Sequence, residues 1–164
     1  MQDIKLRNMT SLYLTFGEKM LLLYRMGSKV IKDSYTGAAG GHFEREELND
    51  PKVCVLRELY EETGLTVDDI ENLTLRYITL RLKNNEIRQN YYFFADLKNP
   101  NTQIISNEGD LEWVDFGKAM LLDMPFSSKY VVEHYIRTGR NTSMLYCGAA
   151  DENGVTFTEL HNFP

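Results

Sequence analysis

Cysteine is scarce in this chain. Its 164 residues include only Cys54 and Cys147, too few for a disulfide framework and in keeping with a reducing, cytoplasmic setting. There are four prolines and one tryptophan. No proline-rich, repetitive or low-complexity stretch marks a linker, so the expectation is one domain over 1–164. No apolar run approaches the roughly 18 residues that a membrane-crossing helix needs, and no signal-peptide pattern opens the chain. Basic residues are the minority: 18 Lys and Arg against 24 Asp and Glu leave a net charge of −6. Without a basic stripe, a nucleic-acid polymer is not the expected partner. Histidine is limited to His42, His134 and His161. What remains, 43% hydrophobic and 26% charged, is ordinary for a globular chain that buries a real core.

Acid is present in a concentrated form. Glu58, Glu61 and Glu62 stand at i, i+3 and i+4, within roughly 100° of one another on a helix. Like charges at this spacing repel by a few tenths of a kcal/mol per pair. They are either spread into solvent or offered to a cation. Asn49 or Asp50 before Pro51 predicts the helix start, and Gly64 followed by Leu65 predicts its left-handed stop. Val53, Leu56 and Tyr60 lie nearly opposite Glu58 on the wheel, with Leu59 on the flank, so one side is expected to pack on a core and the other to present acid. Upstream, Gly37-Ala38-Ala39-Gly40-Gly41 precedes His42-Phe43-Glu44-Arg45-Glu46-Glu47.

Taken together, Gly41 to Leu65 resembles the signature of the Nudix hydrolases, the MutT-like family: Gly, five residues, Glu, then Arg-Glu-aliphatic-x-Glu-Glu-x-Gly-aliphatic. Arg57 to Leu65 agrees at every fixed position. The family places seven residues between the glutamate and the arginine, whereas nine separate Glu47 from Arg57 here. The two extra residues fall before the helix cap, in Glu47-Leu48-Asn49, so they bear on that loop and on the reach from Glu47 to Arg57. They leave the helix face alone. The resemblance implies an α/β/α sandwich around a mixed β-sheet (an α+β chain) and binding of Mg²⁺, with Mn²⁺ as the alternative. It implies metal binding by Glu58, Glu61, Glu62 and the Gly40 carbonyl, with Glu58 as general base. Arg57 would orient a catalytic glutamate with Glu47 as its partner. A further carboxylate is expected from a downstream loop, Glu108 first and Glu112 second. Such an ion neutralises phosphate charge and makes a water more acidic near neutral pH.

The remaining pattern suits that fold. Residues 10–16 and 20–25 read as a hairpin, and 35–43 as extended. Residues 73–82 and 87–97 read as a long antiparallel pair turning at 83–86, and 111–116 as a short strand. Ser127 or Ser128 is the expected cap of a second helix through Ile136, stopping at Gly139. Residues 144–149 and 155–160 form an expected terminal hairpin with Asn153-Gly154 at its tip, an addition to the minimal core. Cys54 reads as a buried small residue, because a catalytic cysteine needs an activating base. His42 is either a surface histidine or a phosphate contact. Tyr91, Tyr92, Phe93 and Phe94 read as strand packing, with stacking of one of them on a base left open.

The expected activity is Mg²⁺-dependent hydrolysis of a nucleoside diphosphate linked to another group. A nucleoside triphosphate comes first, an oxidised purine such as 8-oxo-dGTP included, giving monophosphate and pyrophosphate. The alternatives are a non-catalytic nucleotide sensor, or a hydrolase of ADP-ribose or another nucleotide sugar. Against ADP-ribose, Arg81 stands where that subgroup carries a proline. The expected partner is a small nucleotide, with no membrane; a homodimer would be in keeping with the family.

Overall fold

A computed structural model describes residues 3–27 and 33–164. Alternating apolar runs become strands β1 (Lys5–Phe16), β2 (Lys19–Arg25), β3 (Ser34–Gly37), β4 (Ile70–Lys83), β5 (Glu86–Leu97), β6 (Asp110–Asp115), β7 (Leu145–Asp151) and β8 (Gly154–Leu160). Helix α1 (Pro51–Thr63) follows β3, a single turn α2 (Phe116–Ala119) follows β6, and α3 (Phe126–Arg137) precedes the last hairpin. The strands form one mixed sheet in the order β3-β2-β1-β5-β4-β7-β8, with β6 on β2. The β1–β5 and β4–β7 pairs are parallel and the rest antiparallel. The expected 83–86 turn and terminal hairpin are both present.

β2 shares one of its edges between two partners. Lys19 to Leu21 pair with β1 and Leu22 to Arg25 with β3, while β6 occupies the opposite edge over Lys19 to Tyr24. β1 and β2 therefore splay apart, and the segment after β3 runs along the freed edge of β1. There Leu12 N–H donates to the Ala39 carbonyl at 2.7 Å and Thr10 N–H to the Gly41 carbonyl at 2.9 Å.

The two helices cover opposite faces. Val55 and Leu59 of α1 join Leu12, Leu14, Leu21 and Phe93 in one apolar cluster. Val131, Val132 and Ile136 of α3 join Tyr13, Tyr77, Tyr92 and Phe94 in the other. Arg76 is buried under the terminal hairpin. Its guanidinium donates to the carbonyls of Met144 (3.1 Å), Gly139 (2.7 Å) and Thr142 (2.8 Å), which ties the segment leading into that hairpin to β4. Among the described residues no helix is long and apolar enough to cross a membrane.

Two local expectations need correction. Val53 and Tyr60 are 51% and 63% exposed; the packed side of α1 is instead Cys54, Val55, Glu58, Leu59 and Thr63. The acidic face borders the core rather than opposing it, because α1 lies with Glu58 turned toward the glycine segment on β1. In α3 neither Ser127 nor Ser128 caps the helix. Both are buried in its first turn and the cap position is Pro125, with the Arg81 guanidinium 4.2 Å above the Phe126 ring.

Candidate active site

Local chemistry fixes α1 at both ends. The Asp50 carboxylate accepts from the N–H groups of Lys52 (3.1 Å) and Val53 (3.3 Å), a cap worth about 1 kcal/mol. Gly64 takes φ +73°, where a side chain would be strained, and its N–H donates to the Tyr60 carbonyl. Between these ends Arg57 is a hub. Its Nε and Nη2 grip both oxygens of Glu47 at 2.7 and 2.9 Å. Its Nη1 donates to Glu58 and to Glu61, each at 2.9 Å, and Nη2 also reaches the His42 carbonyl at 3.1 Å. The two extra residues thus leave the Glu47–Arg57 pair formed. Hydrogen bonding to Arg57 holds the buried Glu47 carboxyl down at about 2, and Glu47 in turn raises Arg57 further above its ordinary value.

The glycine segment supplies the opposite wall. A Cβ on Gly40 would lie 2.3 Å from the Thr10 carbonyl oxygen, and one on Gly41 would lie 2.3 Å from Glu58 Oε1. The bare backbone is what lets β1, the loop and α1 approach. Gly40 N–H donates to Glu62 Oε2 at 3.0 Å. Burial, with Glu58 and Glu108 close by, pushes the Glu62 carboxyl up to about 7 despite that hydrogen bond.

Gly40, Arg57, Glu58, Glu62 and Glu108 line one open cavity of 540 Å³, together with Arg7, Arg25 and His42. Glu61 is not on that lining; its side chain is 53% exposed and turned to Arg57. Glu108 pairs with Arg25 at 2.5 Å, whereas Glu112 acts on Tyr35, whose hydroxyl it holds above its ordinary value. Among the described residues no three His, Cys, Asp or Glu side chains converge as a ready-made metal cage, since Arg57 draws Glu58 and Glu61 to itself. The donor set still fits a hard divalent cation: the carboxylates of Glu58, Glu62 and Glu108 border one cavity, and hard cations take oxygen ligands of this kind.

A second cavity of 240 Å³ adjoins the first and shares Arg7, Met9, Arg25, Gly40 and Glu62 with it. Thr36, Arg88, Asn90, Pro125 and Ser128 are among the others around it. Arg7 and Arg88 stand directly opposite each other on β1 and β5, an arrangement that costs stability when the charges are alike. Glu86 lies 2.8 Å from Arg88 and 3.9 Å from Arg7. His42 sits on the wall of the larger cavity with Nε2 accepting from Arg7 at 2.7 Å. Cys54 is buried against Thr10, its thiol pushed up to about 11 by burial. None of Tyr91, Tyr92, Phe93 or Phe94 lines either cavity. Sequence reading missed Arg7, Arg25, Arg88 and Asn90, which are distant from the signature and come to it only through strand pairing.

The family model of the NUDIX domain matches residues 6–135, more than half of the chain. This is a Nudix protein. Nudix membership implies pyrophosphohydrolase chemistry on small nucleotide substrates with a divalent metal ion. Solved Nudix structures share the fold at low identity. The mutator MutT protein from Bacillus halodurans is 19% identical with a TM-score of 0.63, over 93% of this chain and 97% of that one. The MutT protein from Methanosarcina mazei is 19% identical with a TM-score of 0.60, over 87% and 100%. An Ap4A hydrolase from C. elegans is 14% identical with a TM-score of 0.63, over 85% and 100%.

Proposed function

We propose that this Nudix chain hydrolyses a nucleoside triphosphate, an oxidised purine such as 8-oxo-dGTP among them, to the monophosphate and pyrophosphate. The observation that carries the reading is the larger cavity, where Glu58, Glu62 and Glu108 share one lining with Arg7 and Arg25. Carboxylates there suit a cation, and guanidinium groups suit phosphate oxygens. Glu58, Glu61, Glu62 and Glu108, with the Gly40 carbonyl, would hold Mg²⁺ or Mn²⁺. When bound, the ion offsets phosphate charge and makes a water more acidic. Glu58 would take the proton from an attacking water as the water oxygen bonds to phosphorus, and the bridging P–O bond would break, leaving monophosphate and pyrophosphate. Arg57, clamped by Glu47, sets the direction in which Glu58 points. Arg25 and Arg7 receive the phosphate oxygens.

The test is a panel of nucleotides with Mg²⁺, read by release of pyrophosphate. Wild type should turn over at least one triphosphate. Glu61→Gln and Glu62→Gln should lose metal-dependent turnover while keeping the fold by circular dichroism. Tight binding of nucleotides with no turnover across the panel would favour a non-catalytic sensor instead. Turnover confined to ADP-ribose or another nucleotide sugar would keep the hydrolase and replace the substrate.

A further inference from the structure

We propose that a row of arginines beside the smaller cavity binds a phosphate group that the substrate carries outside the diphosphate that is cleaved. The inference rests on the nucleotide-hydrolase reading above and adds to it the class of substrate, a nucleotide with one phosphate more than the reaction needs.

Strand pairing assembles the row. Arg88 of β5 lies opposite Arg7 of β1 on one side and opposite Arg81 of β4 on the other. Residues in register on neighbouring strands share a face of the sheet, so three guanidinium side chains cross three strands on the face that α3 covers. With strands about 4.8 Å apart, the row is about 10 Å wide. One step further out, Glu86 stands between Lys5 and Lys83, on the same face by the two-residue alternation of a strand. The two rows hold five cations and one carboxylate, in a chain whose net charge is −6. No run along the sequence announces this stripe, because its members come from three strands.

Like charges directly opposite one another cost stability, and the local partners offset only part of that. Glu86 sits 2.8 Å from Nε of Arg88 and 3.9 Å from Arg7, and Arg81 rests on the Phe126 ring. Among the described residues no acceptor meets Nη1 or Nη2 of Arg88. Charge on an edge strand guards against edge-to-edge pairing, but Arg81 and Arg88 stand on β4 and β5, inside the sheet.

The row adjoins the reaction site. Arg7 borders both cavities and Arg88 the smaller one. Their side chains are 34% and 36% exposed, within reach of a ligand. Helix α3 starts at the same place. Pro125 and Ser128 line the smaller cavity, and no side chain caps the helix at Pro125, so its first N–H groups add partial positive charge. Guanidinium groups grip phosphate oxygens in pairs, and a row of them beside a helix start suits a dianion better than a neutral ring.

The experiment compares, at low salt, a nucleoside 5′-triphosphate of the panel with three relatives carrying one more phosphate: the 5′-tetraphosphate, the 5′-triphosphate 3′-phosphate and a 5′-triphosphorylated dinucleotide. Wild type should favour at least one relative by about tenfold in kcat/KM, the scale of one hydrogen bond to a charged group, and the advantage should shrink as salt rises. Arg81→Gln with Arg88→Gln should lose the advantage, either substitution alone should lose part of it, and the two lysine replacements should keep part. The ratio within each variant is the readout, so a general fall in activity does not imitate the result. Binding of the same four compounds without metal, by calorimetry, reads the preference apart from turnover, and melting curves identify the folded variants.

Which relative gains tells whether the phosphate sits on the chain, on the ribose or on a following nucleotide. Turnover of the plain triphosphate with no gain from any relative would overturn this inference and leave the hydrolase reading standing. A gain that the double variant keeps would do the same. Arginine-dependent preference in binding without hydrolysis would support the inference while the hydrolase reading fell. Absence of both binding and hydrolysis would overturn the two together.

Discussion

Arg57 holds Glu47 with two parallel hydrogen bonds, Nε to Oε1 at 2.7 Å and Nη2 to Oε2 at 2.9 Å. A bidentate, part-buried pair is geometrically specific. Glu47→Gln should therefore loosen Arg57 and, through it, Glu58. The expected result is a fall in kcat of about 10–100-fold, the scale seen when partners behind a metal-site ligand are removed. KM should move little. Steady-state kinetics with the best nucleotide of the panel checks this.

The same pair sets an acid limb. Glu47 titrates at about 2 in the fold against an ordinary 4.5. Its folded value is depressed, so its stabilisation is complete above about 4.5 and is lost as pH falls toward 2. Glu47→Gln should flatten that part of the stability–pH curve, measured by urea denaturation between those limits.

Glu62 behaves in the opposite sense. Its carboxyl is raised to about 7 from 4.5, chiefly by burial. The stability tied to its neutral form is present below 4.5 and is lost as pH rises through 7. Without metal, Glu62→Gln should therefore melt higher than wild type at pH 8. Metal ligands must shed their protons, so wild-type Mg²⁺ affinity should increase by up to about tenfold per pH unit below 7 and level off above it. Calorimetric titration with MgCl₂ at several pH values gives the profile, and the variant should lose that step.

The two glycines beside α1 should fail differently. Gly40→Ala drives a Cβ to 2.3 Å from the Thr10 carbonyl oxygen, and backbone cannot step aside cheaply. Gly41→Ala meets the carboxylate end of Glu58 at 2.3 Å, which can swing. The first should lower the melting temperature and activity together. The second should lower kcat with a smaller change in melting temperature.

Arg76 lies away from both cavities, where it serves three carbonyls near the terminal hairpin. Arg76→Met should cost at least about 1–3 kcal/mol, the penalty for buried groups left unpaired. The KM of the remaining folded protein should be unchanged. Chemical denaturation and kinetics at low temperature separate the two effects.

Much of the fold was legible because its signals are local. Asp50-Pro51 and Gly64 mark the ends of α1 through their own backbone preferences, and the 83–86 turn separates two strands of alternating pattern. The placement of the glycine segment before an acidic helix was legible for the same reason. The buried position of Glu58 was not, since wheel geometry says which residues share a face but not where the sheet lies. The Arg7–Arg88 pair joins residues far apart in sequence, and only the parallel pairing of β1 with β5 puts them together.

Arg57 also sets the charge that α1 presents. Its guanidinium is a resident counter-ion, one positive charge placed against Glu58 and Glu61 of α1 as well as Glu47. On the proposed reading, recruitment of an ion by Glu58 or Glu61 would be a swap of partners rather than the capture of bare charge. Such a swap should keep affinity for the ion moderate, because the guanidinium competes for the same carboxylate oxygens.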